Sequence, residues 1–166
     1  MRKGTPKKNT KKLTVFAVSS SGGHWVQLLR LRPAFADQKA QPSQLIYVTT
    51  DASSKADIDD KTACFHTVRD GNRDTKLSLI MMALQIFWLL LRYRPDVVIS
   101  TGAAPGYFAC RFARLVGAKS LFIDSVANAQ EMSLSAKLST THADRVFSQW
   151  PSVAEKAGVE YHGNVL

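Results

Sequence analysis

Leu13-Thr14-Val15-Phe16-Ala17-Val18-Ser19-Ser20-Ser21-Gly22-Gly23-His24 is an apolar run that turns through two glycines into the helix-like Trp25-Val26-Gln27-Leu28-Leu29-Arg30-Leu31. A strand that enters a helix this way leaves unpaired backbone N–H groups and the positive end of the helix dipole facing one small space. That arrangement suits an anion such as phosphate. His24 then stands at the lip of the space, where a neutral imidazole can accept a hydroxyl proton near neutral pH. The same residues also make sense as a tight strand-to-helix turn with His24 a helix-start residue in water.

Strand-like and helix-like stretches alternate from there to the end of the chain. Apolar or β-branched runs occur at 45–48, 64–68, 96–100, 119–123, 145–148 and 159–162, with helical patterns at 24–36, 75–94, 106–116, 131–140 and 151–157. The alternation predicts βαβ units, hence an α/β fold: a single Rossmann-like domain with a parallel sheet and helices on both faces. In such a sheet ligands sit beyond the carboxyl ends of the strands. Three loops are expected at that edge. They contribute Ser21, Gly22 and Gly23 with His24; Gly102, Ala103 and Gly106; and Asp124 and Ser125. Turn geometry and helix packing account equally for Gly102 and Gly106, and an N-cap role for Asp124.

The chain has 166 residues, one domain by length, with 45% hydrophobic and 21% charged residues as in an ordinary globular protein. Cys64 and Cys110 have neither C-x-x-C spacing nor nearby histidines. No metal site, disulfide framework or cofactor is therefore expected. The net charge of +9 is concentrated in Arg2, Lys3, Lys7, Lys8, Lys11 and Lys12; without them 16 basic residues face 13 acidic ones. Residues 1–12 thus form a basic tail expected to be disordered, without the apolar core of a secretory signal, and the domain occupies 13–166. The tail can hold an anionic membrane, bind nucleic acid nonspecifically, or simply be solvated. The near-neutral domain gives no reason to expect nucleic acid as the partner.

The helical stretch from Leu77 to Leu91 is apolar around nearly its whole circumference, which is more than a helix lying on one face of a sheet requires. Its fifteen residues rise about 22 Å, short of a bilayer core of roughly 30 Å. It therefore reads either as a helix half-sunk in a membrane interface or covered by another protein, or as one buried on both sides. On the first reading Leu79, Phe87, Trp88, Leu91, Arg92 and Arg94 touch the membrane.

Several motifs occur in a telling order: Ser20-Ser21-Gly22-Gly23-His24, Arg94-Pro95-Asp96-Val97-Val98-Ile99-Ser100-Thr101-Gly102, Gly117-Ala118-Lys119, and Ala143-Asp144-Arg145 through Gln149-Trp150-Pro151. With them the chain resembles the asparagine-linked glycosylation protein 14 family, and within it the bacterial PssD-like proteins of exopolysaccharide synthesis. That family is similar to the N-terminal lobe of GT-B glycosyltransferases. The resemblance implies the acceptor-binding subunit of a two-component glycosyltransferase, inactive alone. Its partner would be a catalytic donor-binding subunit similar to a GT-B C-terminal lobe. Together they would move a sugar from a UDP-sugar to a polyprenyl-diphosphate-linked acceptor on the cytoplasmic face of the cell membrane, to which this chain would attach peripherally.

On this resemblance His24 orients or deprotonates the acceptor hydroxyl, while Ser21, Gly22, Gly23, Gly102, Ala103, Gly106, Asp124 and Ser125 line its site. Gly163, Asn164, Val165 and Leu166 would meet the partner subunit. The loop Asp124-Ser125-Val126-Ala127-Asn128 departs from the family's usual Glu-Ser with a following arginine. Two other readings stand beside this one: a non-catalytic, membrane-recruiting scaffold for the same partner, and an unrelated nucleotide-binding Rossmann protein. Against the last, the first loop lacks the G-x-G-x-x-G pattern.

Overall fold

The strands form where apolar, often β-branched residues run without interruption, as expected of strands buried on both faces. The computed structural model describes residues 13–36, 43–71 and 75–165. The basic tail expected over 1–12 lies outside the described residues, as does Leu166. Seven strands, β1 (Leu13–Val18), β2 (Ser43–Thr49), β3 (Cys64–Thr67), β4 (Val97–Ser100), β5 (Lys119–Ile123), β6 (Arg145–Ser148) and β7 (Glu160–Tyr161), make one sheet. Its order is β3-β2-β1-β4-β5-β6-β7 and every pairing is parallel. The order reverses between β1 and β4, which places a crevice beyond their carboxyl ends.

Helices cover both faces. On one, α1 (Gly23–Arg30) and α2 (Arg32–Ala36) set Trp25, Leu28 and Phe35 against Val15, Ala17, Leu45, Tyr47 and Ile99. The opposite face carries α3 (Lys76–Tyr93), α4 (Ala103–Ala113), α5 (Leu134–Ser139) and α6 (Pro151–Ala157). There Met82, Ile86, Leu90, Ala109, Cys110, Ala136 and Val153 bury Phe16, Val18, Ile46, Val48, Val98 and Phe122.

The helix expected over 24–36 is two helices, because Pro33 has no N–H to continue α1 and fits only in the first turn of a new one. The helix expected over 106–116 begins earlier, at Ala103, and ends in a 3-10 turn before Gly117, whose φ of 77° suits glycine. Two acidic positions of the motifs are staples at the amino ends of strands. The Asp96 carboxylate accepts the Thr14 N–H at 3.0 Å, and Asp144 accepts the Ser120 N–H at 2.9 Å and binds Lys119 at 3.0 Å. They fix the sheet at the edge away from the crevice.

Candidate functional site

The turn after β1 is shaped by glycine. Gly22 has φ 72°, a conformation L side chains rarely adopt, and space is open where a Cβ on Gly22 or Gly23 would point. The turn is tied down on its other side, where the Ser21 N–H donates to Thr50 Oγ1 at 3.1 Å. Beyond it, α1 begins without a side-chain N-cap, as does α4 beyond β4. Their first-turn amides have no acceptor within the helix, so two positive helix ends open on the same crevice.

His24 stands between these ends. Its carbonyl accepts the Thr101 hydroxyl at 2.7 Å, and its Nδ1 pairs with Ser20 Oγ at 3.1 Å. The tautomer protonated on Nδ1 donates to Ser20 and leaves Nε2 bare as an acceptor. The ring lies so close over Gly102 that a Cβ there would fall 2.4 Å from His24 Cδ2 and 2.8 Å from Nε2. Gly102 has φ 137° and the next residue, Ala103, is left-handed at φ 62°, an uncommon strain for a residue with a side chain. Burial lowers the His24 pKa below its usual 6.5, opposed by the Asp124 carboxylate. The imidazole is therefore neutral at pH 7, the state a general base needs.

The loops after β1, β4 and β5 do meet, and the third is joined through Gln27. Its side chain donates to Ser125 Oγ at 3.1 Å and accepts the Val126 N–H at 3.1 Å. Two of the residues expected in the site are placed otherwise. Asp124 is 2% exposed, and its carboxylate accepts Ser125 N–H, Asn128 Nδ2–H and Ser133 N–H, each at 2.9 Å; it holds its own loop in shape. Gly106 faces the sheet rather than the crevice, where a Cβ would fall 1.8 Å from Ser100 Oγ; it lets α4 lie close on β4. Among the described residues no three His, Cys, Asp or Glu side chains gather to hold a metal ion.

Next to Ala103 a mostly apolar cavity of about 450 Å³ opens between Leu79, Tyr107, Phe108, Leu134 and Leu138. Leu79 and Phe108 also border a second apolar groove of about 290 Å³, which runs between α3 and α4 past Phe87 and Phe112. Leu79 and Phe87, expected to face outward, instead line this groove because α4 packs on that side of α3. The outward stripe is Leu77, Ile80, Met81, Leu84, Trp88 and Leu91, from 39% to 72% exposed, and Leu115 of the 3-10 turn adjoins it. The i, i+3, i+4, i+7 spacing from Leu77 carried that signal; Leu115 carried none. Arg92 stacks over Trp88 at 5.5 Å and Arg94 ends the helix at φ 41°. By length and composition α3 could cross a membrane. Its other side, Met82, Ile86, Leu89 and Leu90, is buried in the domain core.

Of the C-terminal segment, Gly163 and Asn164 are exposed. Val165 is docked on its own domain, its N–H donating to Gln149 Oε1 at 2.9 Å and its carbonyl accepting from Arg30 Nη1 at 3.1 Å. Gln27 carried no signal in the sequence, and Gln149 stood out only as part of the Gln149-Trp150-Pro151 motif, with no role attached.

Residues 15–165 match the family model described as oligosaccharide biosynthesis protein Alg14 like. Similar proteins include UDP-N-acetylglucosamine transferase subunit ALG14 of Yarrowia lipolytica, 27% identical over 95% of this chain and 82% of that protein. The protein of the same name from Schizosaccharomyces pombe is 29% identical over 87% and 80%. Among solved structures the fold is that of Acinetobacter baumannii MurG, with TM-score 0.67, 14% identity and coverage of 85% of this chain and 43% of that one. It is equally that of Neisseria meningitidis UDP-GlcNAc 2-epimerase, with TM-score 0.71, 10% identity and coverage of 92% and 46%. The chain spans less than half of each of these solved chains.

Proposed function

The chain belongs to the family of Alg14-like oligosaccharide biosynthesis proteins, and from that premise we propose that it is the acceptor-binding subunit of a two-component glycosyltransferase. The observation that carries this reading is His24, neutral and held over Gly102 between the uncapped first turns of α1 and α4. The substrate class is a hydroxyl-bearing acceptor on a polyprenyl diphosphate. Its phosphates take the free amides of the Gly22-Gly23 turn and of Ala103 and Ala104, where the helix dipoles favour negative charge. The acceptor hydroxyl gives its proton to His24 Nε2 as its oxygen attacks the anomeric carbon of the donor, and the nucleoside diphosphate departs on the partner's side. We assign the donor to the partner, a reading supported by the relatives' being transferase subunits.

The apolar cavity beside Ala103 and the groove continuing from it toward the exposed α3 stripe support a lipid-linked acceptor. The same stripe, with Arg92 and Arg94 at its end, supports peripheral attachment to the cytoplasmic face of the membrane. The test is reconstitution: UDP-sugar, a polyprenyl-diphosphate acceptor, and this chain with or without its candidate partner subunit. Product is expected from the pair alone; product from this chain by itself would overturn the proposal.

A further inference from the structure

We propose that Gln27 and Gln149 form a buried amide relay that positions the His24 turn and transmits to it the seating of the C-terminal segment 163–165. The inference rests on the acceptor-site reading above for its functional meaning, while its structural content is separable. Gln27 is 5% exposed and Gln149 2% exposed. Gln149 lies just beyond β6 and its Oε1 accepts the Val165 N–H at 2.9 Å. Its Nε2 donates to Gln27 Oε1 at 2.7 Å and to the Asp124 carbonyl at 2.8 Å. Gln27 Oε1 also accepts the Val126 N–H at 3.1 Å, and its Nε2 donates to the Gly23 carbonyl at 3.2 Å and to Ser125 Oγ at 3.1 Å.

Both amide protons of both glutamines are thus used, and so are both lone pairs of the Gln27 oxygen. Neither amide can flip, since a flip would set NH₂ against the Val126 or Val165 N–H. A fully satisfied buried network of this kind holds one geometry, and cutting one member leaves others unpaired in a low-dielectric interior. What it joins gives it its role. One end is the first turn of α1, whose Gly23 precedes His24; the middle is the loop after β5 that borders the same crevice; the far end is Val165. Arg30 of α1 holds the Val165 carbonyl at 3.1 Å, so both backbone groups of that residue are fastened to elements of the crevice. Gly163 and Asn164 beside it are exposed and free to be engaged by a protein partner. A partner that fixes or lifts this segment acts on the relay, and through it on the spacing of the two loops. Gln27 and Gln149 are positioning residues, acting through Gly23 and Val126.

Amide hydrogen exchange on the full chain tests the relay without any need for activity. Val165→Pro removes the one N–H that Gln149 accepts, Val165→Ala keeps it, and Gln149→Leu fills the space without polar atoms. With Val165→Pro or Gln149→Leu, the amides of Val26 to Arg30 and of Val126 should exchange about tenfold faster, while β1 and β4 keep their protection. Val165→Ala should exchange as wild type. Acceleration confined to 162–165, or spread evenly through the sheet, would overturn the relay. In the reconstituted pair, Val165→Pro should raise the acceptor KM about tenfold and leave the UDP-sugar KM unchanged. An equal change in both KM values, or in neither, would overturn the positioning role and leave the two-component reading intact. A wild-type pair that transfers nothing would defeat that reading instead, with the exchange result still deciding the relay.

Discussion

Two glycines four residues apart do different work, Gly102 beneath His24 and Gly106 inside α4 where it crosses β4. A methyl on Gly102 would strike His24 at 2.4 Å and hold an alanine at φ 137°, so Gly102→Ala should displace the ring. We expect a loss of about 1–3 kcal/mol in stability and a drop in transfer of tenfold or more, measured by denaturant titration and initial rates. A methyl on Gly106 would instead meet Ser100 beneath α4. Gly106→Ala should cost a similar ~1–3 kcal/mol and push aside the Ser100 hydroxyl, which accepts the Gly102 N–H at 3.1 Å, so transfer should fall too, but less than with Gly102→Ala. The histidine itself makes a prediction in pH. Its pKa is lowered by burial below 6.5, so between that lowered value and 6.5 the unfolded chain binds more protons than the folded one. The stabilising contribution of the neutral, folded imidazole is complete above 6.5 and declines as pH falls. His66, lowered by burial and by Arg92, adds in the same direction. Denaturation midpoints should fall from pH 7 toward about pH 5, and the acid limb of kcat/KM should lie below 6.5.

At the scale of the element, α3 is the member with two masters. Its Met82, Ile86 and Leu90 are fully buried, and Ile86→Ala should cost about 2–5 kcal/mol by leaving a cavity under the sheet. Leu84 and Trp88 are 58% and 57% exposed, so exchanging both for aspartate should change stability by less than about 1 kcal/mol. The same exchange should abolish co-sedimentation with anionic phospholipid vesicles, since it places two negative charges in the apolar stripe. Undiminished vesicle binding by that variant would remove α3 from the membrane contact. Burial of the whole circumference, one of the two readings of Leu77 to Leu91, does not occur. The helix has one face in the core, one in the groove against α4, and one in solvent.

For the whole molecule, the sheet was readable because each strand is a short apolar run ended by glycine, proline or polar residues; all seven lie within two residues of the expected positions. Helix ends were read less well. Nothing local announces that Ala103 opens α4 in a left-handed conformation, since an alanine has no preference for positive φ. The glycine turn with His24 was legible as a motif, and its meeting with Gly102 followed from the parallel order of the strands. For Gly106 the sequence offered helix packing beside the site without deciding, and the packing holds; the role of Asp124 was not legible, because an aspartate that holds its own loop and one that meets a ligand have the same sequence signature. Gln27 and Gln149 stand 122 residues apart and each looks like an unremarkable polar residue; only the folded chain makes them partners. We propose that this lobe carries the base for sugar transfer, and the initial rate of the reconstituted pair with His24→Ala in this chain tests that role. A loss of about a hundredfold or more in kcat is expected, with the complex still assembled on a sizing column. Full activity in that variant complex would contradict it and leave the chain a scaffold for chemistry done by its partner.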